Sequence, residues 1–216
     1  MKKKSTVPSN KTKLKRVPKR GNYDISVINA ILDAHFLCHV AFVHEGYPVI
    51  IPTLFGRQGH HLFIHGATSS RMIRTLADGA DLSIAVTCVD GFVLARSAFH
   101  HSMNYRSVVL FGKGALVPES GKNEALRIIS DHILPGRWEE IRVPNEKELK
   151  ATHIITVPIR EASAKIRTGP PNDDAPDYEL DIWAGEIPLG LSMGTPIQDP
   201  KLKNGIPPTK ILDKLL

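Results

Sequence analysis

Acidic residues are absent from the first twenty positions, which carry nine Lys and Arg. The formal net charge of +6 therefore belongs to that run, because the rest of the chain holds 19 basic against 22 acidic residues. A cationic arm above an acidic body with only 6% aromatic residues argues against nucleic-acid binding as the main activity. Its Lys, Pro and Ser content predicts a solvated, flexible tail over residues 1–22. Cysteine is scarce as well. Cys38 and Cys88 are the only two, each in an apolar context (FLCHVAF and IAVTCVDG). That excludes a disulfide framework and fits buried thiols in a reducing, cytoplasmic setting. No apolar run approaches the ~20 residues of a membrane span, and no secretory core follows the N-terminal lysines.

Several catalytic signatures are missing too. There is no GxSxG elbow for a hydrolytic serine, and no HExxH or cysteine pair for zinc. The glycines at Gly112 and Gly114 match neither a P-loop nor a dinucleotide fingerprint. His60-His61 and His100-His101 are adjacent pairs, which point to opposite faces of a strand and cannot share one ion. His35 and His39 straddle a predicted helix end. No metal site is expected.

What remains is one core-forming domain over residues 23–190, followed by a Pro- and Gly-rich C-terminal extension over 191–216. Asp24 caps a predicted amphipathic helix over 24–36. Strands are expected at 37–43, 47–55 and 60–66, the second an edge or irregular strand because Pro48 and Pro52 cannot donate to a ladder. A short helix capped by Ser69 or Ser70 presents Met72, Ile73 and Leu76 and stops at Gly79. Asp90-Gly91 predicts a hairpin between strands 81–89 and 92–98. Further elements are a strand over 105–117, helices over 121–134 and 146–150, a strand over 151–159, a loop over 168–177 and a last strand within 180–189. Short connections and many strands predict a mainly β (α+β) fold, a small split antiparallel β-barrel with peripheral helices.

Three segments carry chemistry. IHGATSSRM (64–72) runs from a strand through small residues into a helix that opens with two serines and an arginine, a set of donors suited to an anion. ARSAFHHSMNYRSVV (95–109) crowds Arg96, Ser97, Asn104, Tyr105, Arg106 and Ser107 around a His-His pair in a connection between strands, where a scaffold commonly presents binding groups. EASAKIRTGPPNDDAPDYELDIWAG (161–185) alternates Lys165 and Arg167 on one strand face, and places Trp183 either as core filler or as a stacking lid over a flat ligand.

Taken together, HGATSSRM, DGFVLARSAFHHSMNYRSVVLFGKG and SAKIRTGPPNDDAPDYELDIWAG resemble the pyridoxamine 5′-phosphate oxidase-like superfamily, nearest the FMN-binding branch that includes the nitroimidazole reductases. The likeness runs from about Tyr23 to Leu189. It implies a split-barrel homodimer with FMN at the subunit interface, and an oxidoreductase that passes hydride or electrons between FMN and a small substrate. Carried over by motif, Ser70 and Arg71 hold the phosphate and His65 with Thr53 and Leu54 lines the ring, with Gly66, Ala67 and Ser69 of the same motif also among the cofactor-binding residues. Asn104, Tyr105, Arg106, Ser107 and Val108 border the ring and ribityl chain, partly from the second subunit, and Trp183 covers the flavin. His65 is the candidate catalytic residue. The arginine pattern near the C-terminus of true pyridoxamine phosphate oxidases is missing, which points away from vitamin B6 oxidation. The alternatives are a deazaflavin cofactor, or a non-catalytic flavin- or haem-binding protein for storage or sensing, with His65, His100 or His101 as axial ligand.

Overall fold

The computed structural model describes residues 8–212. Its strands follow from alternation of side chains between two faces. Val40 and Phe42, Leu82, Ile84 and Val86, and Val108 and Leu110 are all buried on one face of a single sheet. In chain order the elements are β1 (Gly21–Asn22), α1 (Ile25–Asp33), β2 (Leu37–His44), β3 (Tyr47–Leu54), β4 (Gly56–Gln58), β5 (His61–Ala67), α2 (Arg71–Ala77) and β6 (Asp81–Leu94). They continue with β7 (Ser102–Lys113), β8 (Ala115–Leu116), α3 (Lys122–Ile133), α4 (Glu146–Ala151), β9 (Thr152–Pro158), β10 (Glu161–Arg167) and β11 (Gly185–Pro188). Every strand pairing is antiparallel.

The larger sheet runs β1-β10-β7-β6-β2-β3, with β11 added along β6, and the smaller runs β4-β5-β9-β8. This is the expected split barrel: two sheets that share a core without closing on one another. Ile28, Ile31 and Leu32 of α1 and Met72, Ile73 and Leu76 of α2 enter that core. On the other side of the small sheet, Ala125 and Ile129 of α3 pack on Ile154. The close approach of α3 needs Gly56, where a Cβ would lie 2.6 Å from the Ile129 Cα. As its prolines require, β3 is an edge strand, bonded only to β2.

Two expectations change. Asp90-Gly91 is not a hairpin turn: β6 runs straight through it and keeps pairing with β7, with a register shift between Val89 and Gly91. The extra residue is absorbed as a bulge. Gly91 is needed there because β11 lies alongside, and a Cβ would sit 2.9 Å from the Ile187 carbonyl oxygen. The chain reverses later, through 95–101, with one turn of 3-10 helix at Ala98–His100. The second change concerns the basic arm. Residues 1–7 lie outside the described residues, but 8–22 are held against the domain. Thr12 is only 2% exposed, Leu14 N–H donates to the Tyr23 hydroxyl at 3.0 Å, and β1 pairs with β10. In the C-terminal extension Ile211 is buried and Thr209 bonds Glu140.

Candidate functional site

Strand β5 ends at His65-Gly66-Ala67, and after three connecting residues α2 begins at Arg71. Gly66 is dictated by that proximity, since a Cβ would lie 2.8 Å from Ile73 Cγ1 of the helix. His65 is half-buried, and its Nδ1 is buried without a hydrogen-bond partner. Burial lowers its pKa, so the ring is neutral at pH 7. Ser70 occupies the helix N-cap, yet its hydroxyl makes no capping bond. Arg71 is exposed and has no acidic partner among the described residues, and the same holds for Arg74 one turn on. Arg57, Arg96, Arg106, Arg127, Arg137 and Arg142 each hold a carboxylate, whereas Arg16, Arg20 and Arg160, like Arg71 and Arg74, hold none among the described residues. The β5–α2 junction thus keeps a hydroxyl and two guanidiniums uncommitted.

Arg71 and Arg74 also face a cavity of ≈ 510 Å³ between α2 and the β2–β3 turn. His44, Glu45, Thr75 and Asp78 complete its polar wall. His44 Nδ1 lies 3.1 Å from Thr75 Oγ1. Sequence reasoning named Arg71 but missed Arg74 and His44. The three-residue spacing of the arginines, which puts both on one side of a helix, was the available signal.

The second predicted group lies on β7, in the larger sheet. Asn104, Arg106 and Ser107 are engaged within the chain. Asn104, 7% exposed, donates to Glu186 at 2.5 Å and accepts from Arg167. Arg167 also donates to the Gly169 and Pro170 carbonyls at 2.6 and 3.0 Å. Arg106 grips Asp90 of the bulge through Nε and Nη2 at 2.9 and 2.7 Å, and that hydrogen bonding raises its pKa. Ser107 donates to the Lys165 carbonyl at 3.3 Å. Val108 points into the core, and its backbone lies in an interior strand between β6 and β10. Part of the dense polar stretch is thus tied into the fold, in a network with the 168–177 loop. The Asp173 side chain, fully enclosed, accepts from Arg96 N–H at 3.0 Å, from Arg96 Nη1 at 3.1 Å and from Ser97 N–H at 3.5 Å. Burial pushes the Asp173 pKa up, but these donors outweigh it and hold it below the usual value.

The remaining histidines of that stretch have neighbours too. His101 Nε2 is 3.1 Å from the Ala95 carbonyl oxygen. His100 Nε2 is 3.3 Å from Asp174, and with Asp177 these residues bring ligand-type atoms within 4.8 Å of one another. Trp183 lies just outside β11, 66% exposed, its ring resting over Gly185, where a Cβ would meet it at 3.0 Å. Thr53 and Leu54 end β3, the Leu54 side chain facing outward.

No hydrogen bond or ion pair among the described residues joins the β5–α2 group to the β7 group. They lie on different sheets, β5 in the smaller and β7 in the larger, and the larger sheet has an outer surface of its own. Leu54 and Ile50 of β3 lie on the same face as Val89 of β6 and Tyr105, Ser107 and Val109 of β7. Ile50 is 65% exposed, and Leu54, Val89 and Val109 are also exposed. No helix among the described residues is long and apolar enough to cross a membrane.

A family model described as pyridoxamine 5′-phosphate oxidase matches residues 24–166. No curated protein matches the chain. Among solved structures, the flavocytochrome Anf3 from Azotobacter vinelandii is 38% identical with a TM-score of 0.92, covering 98% of this chain and 99% of that one. The FAD and heme binding protein from Mycobacterium smegmatis is 36% identical with a TM-score of 0.88, covering 91% and 97%. A protein from Bacteroides thetaiotaomicron named for 5-nitroimidazole antibiotic resistance is 22% identical with a TM-score of 0.57, covering 68% and 86%, a likeness of fold.

Proposed function

Because the chain belongs to the pyridoxamine 5′-phosphate oxidase family, we propose that it is a flavin-binding redox protein, working as a homodimer and carrying haem as a second cofactor. The observation that carries the flavin is the uncommitted donor set at the β5–α2 junction. The Ser70 and Arg71 side chains have no partner among the described residues and suit a phosphate, a charge-assisted contact stronger than a neutral one. His65 on β5, with Thr53 and Leu54 at the end of β3, an element in contact with β5, would border a flat ring. The names of the two most identical structures described above, a flavocytochrome and an FAD and heme binding protein, support the same pairing of cofactors.

When bound, the flavin supplies one- or two-electron transfer and haem supplies one-electron chemistry. The chain's part is to hold, orient and exclude water. Arg71 and Ser70 fix the phosphate end. His65, neutral and with a ring nitrogen lacking a partner, would serve as a donor or acceptor beside the flavin or as a ligand to haem iron, a role that requires an unprotonated imidazole. His100 and His101 are the other ligand candidates. The exposed apolar strip of Ile50, Leu54, Val89 and Val109 is the face on which a second copy docks. That docking would bring the β7 segment of one copy toward the β5–α2 junction of the other, joining two groups that a single chain leaves apart.

The test is titration of the purified full chain with flavin and then haemin. Quenching of flavin fluorescence with saturation near one per chain is expected. A Soret band that a single substitution among His65→Ala, His100→Ala and His101→Ala removes is expected for haem. Failure of flavin to bind overturns the reading. Reduction of the loaded protein by NADH or NADPH, followed by turnover with a small electron acceptor, distinguishes an oxidoreductase from a storage or sensing protein.

A further inference from the structure

We infer that residues 189–208 form a C-terminal strap that closes over the second copy of this chain. This rests on the homodimer reading above and adds a second surface to its sheet face. From 186 to 208 every residue is exposed, and from 189 to 208 none belongs to a helix or strand. Charge is sparse there, with Asp199, Lys201 and Lys203 the only ionisable side chains. Large apolar residues stand out in its place. Leu191 is 79% exposed and Ile197 96%, and Met193 and Ile206 are exposed as well. Single exposed apolar side chains are ordinary, but a run of them marks a surface that meets a partner.

The strap is fastened at both ends. At its start, Leu189 N–H donates to the carbonyl of Asp90, in the β6 bulge, at 3.0 Å. Beyond its end, Thr209 bonds Glu140 and Ile211 is buried. Between these anchors its hydrogen bonds among the described residues are local. Leu202 N–H donates to the Asp199 carbonyl at 2.9 Å, Lys201 N–H to the Asp199 side chain at 2.8 Å, and Ile206 N–H to the Lys203 carbonyl at 3.4 Å. The anchors belong to different parts of the fold, one to the larger sheet and one to the segment after α3, which packs on the smaller. Extended, a stretch of this length reaches roughly 60 Å, more than the roughly 30 Å across a small domain, so it can pass over a neighbour.

Where the strap starts decides what it covers. Ile187 of β11 pairs with Phe92 of β6, which pairs with Met103 of β7, so these three share one face. Alternation along β7 puts Met103 on the side of Tyr105 and Val109. All three are exposed. The apolar strip of the docking face therefore continues through them to the foot of the strap. A copy seated on that strip lies where the strap departs, and in a twofold dimer each copy gives one strap and receives one.

The test uses the full chain. Ile197→Cys adds one exposed thiol to a protein whose Cys38 and Cys88 are buried. A maleimide should label it at least tenfold more slowly in the dimer, as defined by sedimentation, than in the monomer reached by dilution or by adding Ile50→Glu. Leu191→Asp combined with Ile197→Asp should raise the dimer dissociation constant at least tenfold. Both positions are exposed in the single chain, so the far-ultraviolet circular dichroism should not change. Labelling that is equally fast in dimer and monomer, or a double variant that dimerises as tightly as the parent, overturns the strap and leaves the homodimer standing. Labelling that is equally slow in both places the strap on its own chain and overturns the proposal too. A parent chain that is monomeric at every concentration overturns strap and homodimer together.

Discussion

Replacing Arg71 by Ala should separate the phosphate from the ring as sources of flavin affinity. Arg71 is exposed and makes no ion pair among the described residues. Its loss should therefore move folding stability by no more than about 0.5 kcal/mol, as surface substitutions usually do. A hydrogen bond to a charged group contributes about 1.5–3 kcal/mol. At 1.4 kcal/mol per tenfold, FMN affinity should fall by about 10- to 150-fold. Riboflavin, which has no phosphate, should bind the variant as it binds the parent. Both dissociation constants can be read by quenching of flavin fluorescence at fixed ionic strength, because the phosphate contact weakens with salt. An equal loss for FMN and riboflavin, or no loss for either, would refute the phosphate assignment.

Other consequences can be checked separately. Ile50→Glu places a charge on the exposed apolar strip and should give a monomer with weakened flavin binding, read by sedimentation; an unchanged dimer would move the interface elsewhere. Gly56→Ala sets a methyl 2.6 Å from the Ile129 Cα and 2.8 Å from the Ile128 oxygen. Overpacking of about 1–3 kcal/mol, at roughly 2–4 °C per kcal/mol for a chain of this size, should lower Tm by roughly 2–12 °C, and an unchanged Tm would mean that α3 stands further off. Hydrogen bonds from Arg142 and then from Asn145 N–H hold Glu148 down from 4.5 to about 2. A depressed carboxylate contributes stability above its unfolded pKa and loses it as pH falls through the folded one. Glu148→Gln should therefore flatten the stability profile between pH 4.5 and about 2, and an unaltered slope counts against the pair. Burial pushes the Cys38 thiol up to about 12, so at pH 8 a thiol reagent should label Cys38 only after denaturation; rapid native labelling would contradict its burial.

Local chemistry was the legible part of this sequence. Asp24 announces α1 and accepts from Ser26 N–H at 2.8 Å as an N-cap should, and Pro48 and Pro52 announce an edge strand. The same kind of rule failed at Asp90-Gly91, because a hairpin signal and a bulge use the same residues. What separates them is the pairing partner, and β11 arrives nearly a hundred residues later. The polar network shows the limit more fully. Asn104 owes its burial to Arg167 and Glu186, 63 and 82 positions away, and Asp173 is held by Arg96, 77 positions back. Periodicity carries no information on such distances, so a stretch that reads as free binding groups is in part a knot tying two loops together. The basic arm misled for a related reason: its charge predicts solvation, while the few residues that anchor it, Thr12, Leu14 and Tyr23, are uncharged. At the candidate site, Ser70 and Arg71 read from sequence as an anion site, and both side chains stand without a partner among the described residues, as the proposed phosphate contact requires.

The central claim is that this chain binds flavin at the β5–α2 junction. It is tested most directly by the visible spectrum of the purified full-length protein, followed by the mass and stoichiometry of whatever heat releases from it. The account predicts flavin absorbance and a released flavin nucleotide near one per chain, lost in the Arg71→Ala variant. A colourless protein that takes up no added flavin, or one whose flavin is untouched by Arg71→Ala, would contradict it.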